Sequence, residues 1–325
     1  NHDLCILSIF EKACILLPYI KRSKKMKKVI QFGSGLFSVL FATTINIPSD
    51  YVTIQAGINA SVDGDTVLVA QGTYSENLIL EKEIVLASHA LNDDLNNEWI
   101  NNENIQETII SGTLEPIDPD YGSCLVIRDG NIAPSVLGFT FQDGFGTAMV
   151  ENDTCELIVQ RPERSGGAIL IYKAYPTIKY NRFINNGRVP TDGGNGSLAI
   201  SNGGAIGHFD DNDVEFDEDR SSARRTRHSS RDIPEEVNIQ NNYFENNSSR
   251  DGKNFYSRGY EGSIDVSYSI FDDIDCESNS VNEFVLKSKG KKAAYIQNDI
   301  SGSCIEENSF YVSMDGDNNN PGTES

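Results

Sequence analysis

The sequence predicts an all-β solenoid, short strands wound into stacked coils around one elongated core. Three observations carry that reading. The stretch TIKYNRFINN, Thr177 to Asn186, returns as NIQNNYFENN, Asn238 to Asn247, with the same internal spacing. Counting from Ile178, Asn181 stands at +3, Phe183 at +5 and the pair Asn185 and Asn186 at +7 and +8; counting from Ile239, the same offsets give Asn242, Phe244, Asn246 and Asn247. Weaker copies begin at Val136, Val266 and Ile305. The second observation is the odd spacing. Residues five apart lie on opposite faces of one strand and well apart around a helix, and runs of Asn, Ser, Thr and β-branched residues disfavour helix interiors. A bend at +3 is therefore needed to bring both Ile178 and Phe183 inward. Asn suits such a bend, because it tolerates positive φ and its amide can ladder with the next turn. Third, a unit with one inward Ile and one inward Phe cannot bury that face alone, so the units must stack.

A glycine-led strand precedes each strong copy. Gly166, Gly167, Ala168 and Ile169 come before Thr177, and Gly203, Gly204, Ala205 and Ile206 come before Asn238 across a long insertion. With the Asn and Phe positions of the repeat, these residues resemble the right-handed parallel β-helix superfamily, often called pectin lyase-like, from about Ile45 to Phe310. The resemblance implies the fold and says little about activity, since one fold hosts many functions.

Composition bounds the partners. The 325 residues carry a formal net charge of -21, which argues against nucleic acid and anionic membrane surfaces, because phosphate binding needs a basic face. An acidic, Asn-rich surface suits an extracellular protein. Polyanionic polysaccharide would need calcium to bridge the charges. A single elongated, monomeric domain over residues 45–310 is expected, since solenoids lengthen without splitting into separate cores.

Taken in order, residues 1–25 lack an initiating Met and read as an upstream or non-native segment. Residues 26–44 read as a signal peptide: Met26, Lys27 and Lys28 open it, Val29 to Ala42 is apolar, and Ala42 and Thr44 are small residues before a cleavage point. The apolar run is shorter than the roughly 20 residues a membrane span needs, so no span is expected in the mature chain. Of the six cysteines, Cys5 and Cys14 lie upstream. Cys124 with Cys155 and Cys276 with Cys304 are spaced to join neighbouring coils; free thiols stacked in the core are the alternative. Thr53 to Ala60 reads as a short amphipathic helix capping the first coil, which would otherwise expose core and strand edge. Asp63 to Asp65 make a turn, and Thr66–Ala70 and Leu78–Ala87 are strands with Gly72 between them. The elements Gly72, Tyr74 and Glu76 are similar to the opening coil of pectin methylesterases, where that element is structural. Of the esterase chemistry only Gln142 and Asp143 have a counterpart; Arg164, Ser165 and Gly166 stand where a second carboxylate motif would follow, so the acid/base pair is incomplete. Leu91 to Gln106 reads as a polar loop, and Thr108–Ser111, Cys124–Arg128, Ser135–Phe141 and Ala168–Tyr172 continue the stack.

The largest insertion, residues 208–236, is acidic in its first half and basic in its second. It reads as a solvated, self-neutralising loop, with Asp210, Asp211, Asp213 and Asp217 as candidate calcium ligands through their hard oxygens. His208 follows Gly207 in a way similar to the GHG of polygalacturonases, but Phe209 stands where the second Gly belongs, and the partner motifs of that family are not found; His208 reads as a coil-edge residue. Asp143, Lys179 and Arg182 supply the residue types of a pectate lyase without its motif, and no catalytic residue is assigned. Residues 311–325 resemble the truncated start of a second β-helix unit. Asp315, Asp317 and Asn319 open like a calcium loop, but Asn320 replaces the required Gly. The chain thus reads as a piece of a longer secreted protein.

Two functions follow from this reading. The first is a secreted or cell-surface module that binds an extracellular polysaccharide or surface glycan, or serves adhesion, without catalysis and with no required cofactor beyond optional calcium. The second is a divergent polysaccharide lyase or glycoside hydrolase. Paired carboxylates facing one groove on adjacent coils would separate the two.

Overall fold

The structure is a computed structural model that describes residues 42–96, 98–112, 120–128, 130, 132–151, 163–190, 197–211, 214–216 and 233–304. Each coil contributes one short strand to each of three parallel faces. Face 1 carries Thr44–Ile47, Thr66–Val69, Val85–Ser88, Ser135–Leu137 and Thr177–Lys179, and is continued by Glu236–Asn238, Ser263–Asp265 and Ala294–Ile296. Face 2 runs from Gly72–Ser75 through Thr108–Ser111, Thr140–Gln142, Arg182–Ile184, Tyr243–Glu245 and Ile270–Ile274 to Ser301–Cys304. Face 3 runs from Leu78–Leu80 through Leu125–Ile127, Ile169–Tyr172, Ile206–Phe209 and Phe255–Arg258 to Leu286–Lys289.

Register turns the repeat into columns. Val67, Leu86, Val136 and Ile178 lie one above another inside face 1. Inside face 2, Phe141, Phe183, Phe244 and Phe271 stack with ring centroids 5.5, 5.1 and 4.9 Å apart. All of these residues are buried. Ile178 and Phe183 both point inward, as the spacing predicts.

The bend differs from expectation in one respect. Positive φ falls one residue before the +3 position, on Gly138, Tyr180, Asn241 and Tyr268. The +3 residues Asn181 and Asn242 follow it, fully buried, as rungs of an internal ladder. Asn242 Oδ1 accepts from the Asn181 backbone N–H at 3.0 Å and from its Nδ2 at 3.2 Å, and Asn242 Nδ2 donates to the carbonyls of Ile178 and Gln240. The Asn pair divides the same two tasks at the next corner. Asn185 and Asn246 take the positive φ, while Asn186 and Asn247 are buried, Asn247 Oδ1 accepting from the Asn186 backbone at 3.1 Å. The backbone satisfaction that a corner lacks is thus supplied by the amide of the coil above.

The paired glycines before face 3 are needed for close approach. A Cβ at Gly144, Gly167 or Gly204 would sit 2.0, 2.0 or 2.1 Å from the carbonyl oxygen of Gly167, Gly204 or Lys253 on the next coil. No other residue fits that spacing.

Helix α1, Ile54–Ala60, covers the first coil and buries Ile54, Gly57 and Ile58. Its ends explain the Gly72, Tyr74, Glu76 element. The Glu76 carboxylate accepts from the backbone N–H groups of Ile54 (2.9 Å) and Gln55 (3.0 Å), Thr53 Oγ1 accepts from Ala56 N, and the Tyr74 hydroxyl donates to Ala70 O. At the other end Lys82 Nζ donates to the carbonyls of Ile58, Asn59 and Ser61. Opposite charges at the two ends complement the helix dipole.

Several expectations are corrected. Leu78–Ala87 is two strands, because Glu81 to Ile84 turn the corner between faces 3 and 1, and Ser135–Phe141 is two strands for the same reason at Gly138. The polar stretch 91–106 contains a helical turn, Trp99–Asn101, and helix α2, Glu103–Glu107, capped by Asn102 Oδ1 on Ile105 N. Cys276 and Cys304 are joined, but Cys124 is a free, buried thiol; Cys155 lies outside the described residues. A further sheet, missed in the sequence, is partly antiparallel: Gly146–Glu151 pairs with Glu163–Ser165, Tyr121–Gly122 and Val214–Phe216. It covers an apolar patch on the outer side of face 3 in which Val126, Leu170, Tyr172, Phe209 and Tyr256 meet Tyr121 and Met149. Part of the charged insertion is therefore a strand.

Candidate functional site: an aromatic step on face 2

The predicted site residues are spoken for in different ways. Asp210 Oδ1 accepts from the Tyr175 hydroxyl at 3.0 Å, and burial raises its carboxyl pKa against the opposing effect of that bond. Asp211 Oδ2 accepts from Arg258 Nε at 3.0 Å. Asp213 and Asp217 lie outside the described residues. Among the described residues no three metal-ligating side chains gather. His208 is not at a coil edge: it occupies the inward column of face 3, fully buried, with Ile171 below and Ser257 above. Burial lowers its pKa to about 4. The glycine preceding it and the phenylalanine following it alternate to the outer side, so parity rather than motif decides its place.

Asp143, Lys179 and Arg182 do not converge. Asp143 sits at a corner with φ of 58°, Lys179 ends a strand of face 1, and Arg182 opens one of face 2. Arg182 faces outward there and takes part in a different arrangement.

Face 2 turns one outer column to the surface: Ile109, Thr140, Arg182, Tyr243, Ile270 and Ser301 in register. The segment from His89 to Glu107 packs over its first coils, Thr140 Oγ1 donating to the Ile105 carbonyl at 2.9 Å. Where that cover ends, Trp99 meets Tyr180 edge-on, centroids 5.7 Å apart at 74°. Beyond this shoulder the Arg182 guanidinium lies over the Tyr243 ring, 5.6 Å from its centroid, an attraction between cation and ring face. The Tyr243 hydroxyl is held in its protonated form, burial first and the nearby Glu245 second raising its pKa. Tyr268, in the same bend column as Tyr180, is 49% exposed.

The result is a step: Trp99 and Tyr180 at the riser, Arg182, Tyr243 and Ile270 on the tread, Tyr268 at the rim. Its floor is the outer side of parallel strands, and its polar groups are hydroxyls, one guanidinium and the carboxylates of Glu245 and Asp272 beside Tyr243. Such a surface stacks a planar or gently puckered ligand with apolar C–H faces and a hydroxyl edge. Neither ring has a sequence signal: Trp99 lies in a stretch whose composition reads as loop, and Tyr180 stands at a bend position that only the stacked coils bring beside Trp99.

No family model matches the chain, and no curated protein matches it. Among solved structures it is similar to pectin methylesterase PemA from Erwinia chrysanthemi, at 11% identity over 82% of this chain and 91% of that one, with a TM-score of 0.31. Two pectin methylesterase structures in complex with hexasaccharides match at the same identity and coverage, with TM-scores of 0.29 and 0.28. Similarity at that level carries no argument here. By the pairing of its own strands, the chain is a parallel β-helix.

Proposed function

We propose that the protein is a secreted or cell-surface module that binds an extracellular polysaccharide or surface glycan through the aromatic step and does not cleave it. One observation carries the reading. Tyr180 and Tyr268 hold φ of 58° and 60° at bend positions where neighbouring coils use Gly138 and Asn241. A tyrosine in that conformation costs on the order of 1 kcal/mol or more, and neither ring belongs to the apolar core, so the strain serves a surface. Export rests on the Met26 to Thr44 pattern, and the chelator arm of the test below reads whether the acidic half of the insertion brings in calcium.

The test is a glycan array probed with the full chain, its Trp99→Ala and Tyr243→Ala variants, and a calcium arm against a chelator arm. Loss of one ring contact should weaken binding about tenfold, from roughly 1 to 1.5 kcal/mol per aromatic contact, with folding unchanged. Binding that survives both substitutions, or release of shortened product by the parent chain, would overturn the proposal; the second result favours a divergent lyase or hydrolase.

A further inference from the structure

One inward column of face 3 changes character along the solenoid. In register it reads Leu80, Ile127, Ile171, His208, Ser257 and Ser288. The first three are fully buried apolar side chains, and His208 and Ser257 are buried as deeply, at 0% and 1%. Ser288 Oγ lies 3.1 Å from the Tyr295 hydroxyl, so it is satisfied. His208 and Ser257 are not. By distance and angle neither ring nitrogen of His208, nor Ser257 Oγ, completes a hydrogen bond; the Ala174 backbone lies beside one side of the imidazole, which leaves the other ring nitrogen and the Ser257 hydroxyl to be satisfied.

The surroundings do not fill the gap. Two tyrosines flank the imidazole, Tyr175 at 6.2 Å and Tyr260 at 5.2 Å between centroids. Both hydroxyls point elsewhere, Tyr175 to Asp210 Oδ1 and Tyr260 to the Pro234 carbonyl at 2.7 Å. Buried polar atoms are nearly always partnered by protein or by ordered water. Neighbouring parallel strands are about 4.8 Å apart, which places the imidazole and the hydroxyl on adjacent rungs. Ser257 is also two heavy atoms smaller than Ile171, which holds the same position two coils below, so the column has less side-chain volume where it loses apolar surface. Two polar partners and that space are what an internal water requires.

We infer that an ordered water molecule is bound inside the solenoid between His208 and Ser257. It donates to the unprotonated ring nitrogen, exchanges a hydrogen bond with Ser257 Oγ, and thereby fixes one imidazole tautomer. The site is independent of the aromatic step and survives the failure of the glycan reading.

A crystal structure of the full chain that resolves ordered solvent tests this directly. Density within about 3 Å of Ser257 Oγ and of one His208 ring nitrogen is expected. Its absence, with the imidazole and hydroxyl bonded to each other or to backbone, overturns the inference. In solution, magnetisation transfer from water to His208 and Ser257 protons should be present in the parent chain and lost in Ser257→Val, which restores the apolar column. Transfer missing from the parent chain, or persisting at His208 in Ser257→Val, would equally overturn it.

Discussion

Replacing Asn242 by Ala tests the internal ladder that holds the repeat together. The side chain is fully buried and makes four hydrogen bonds, at 3.0 and 3.2 Å to Asn181 and at 2.9 and 3.1 Å to the Ile178 and Gln240 carbonyls. Truncation leaves the Asn181 backbone N–H orphaned in the core, at about 1–3 kcal/mol. Asn181 Nδ2 keeps the Val136 and Lys179 carbonyls, so its loss is small. Adding about 1 kcal/mol for each remaining net bond gives a destabilisation of about 4 kcal/mol, a large part of the roughly 5–15 kcal/mol that holds a domain folded. The matched control is Asn246→Gly. Asn246 is exposed and holds φ of 54°, a conformation glycine adopts freely, so its substitution should stay within about 0.5 kcal/mol. Denaturant unfolding followed by circular dichroism measures both, and amide exchange at Asn181 reports whether the loss begins at the orphaned group. If Asn242→Ala unfolds at the same denaturant concentration as the control, the ladder does not stabilise the coils and the account of the repeat is wrong.

Other expectations follow from the same structure. His208 has its folded pKa lowered to about 4 from about 6.5 in an unfolded chain; the stability it contributes is complete above pH 6.5 and is lost as pH falls towards 4, about 3 kcal/mol in all. His208→Leu should flatten that part of the stability-versus-pH curve, and an unchanged slope would assign the acid sensitivity to other groups. Glu76→Ala removes the carboxylate that caps α1 and should cost about 0.5–2 kcal/mol, seen first as faster amide exchange at Ile54 and Gln55. Lys82→Met should fray the other end of α1 and add to the Glu76 effect, since the two groups share no partner. Cys304→Ser opens a loop of 28 residues, for which chain entropy predicts a loss of about 3–4 kcal/mol, confined by exchange measurements to the coil from Val281 onward.

The columns were legible because they repeat. Ile178, Phe183, Ile239 and Phe244 announce two inward residues per unit, and the odd spacing forces the bend. The division of labour within each corner is not legible: the side chain that ladders and the residue that takes positive φ are neighbours, Asn181 beside Tyr180 and Ser269, whose hydroxyl accepts from the Asn242 backbone, beside Tyr268. A partial motif puts His208 at an edge, while the alternation from Ile206 to Phe209 puts it on the same inward side as Ile206. The antiparallel cover over face 3 had no sequence signal, since its strands come from three separate insertions. The aromatic step has no sequence signal for a related reason: Trp99, Tyr180 and Tyr243 come from three different coils, with the coil of Ser135–Gln142 between the first two, and only the stacking of the coils makes them neighbours.

The bond between Cys276 and Cys304, with Cα atoms 5.4 Å apart, also has a mechanical meaning. Strand pairing in a β-helix runs along its axis, so tension applied at one end peels coils singly, like a zip. A pull entering from the C-terminal side reaches Cys304 and passes straight to Cys276, and the coil between them is left out of the load path. Traction would therefore reach the body of the solenoid with the turn between Cys276 and Cys304 still wound.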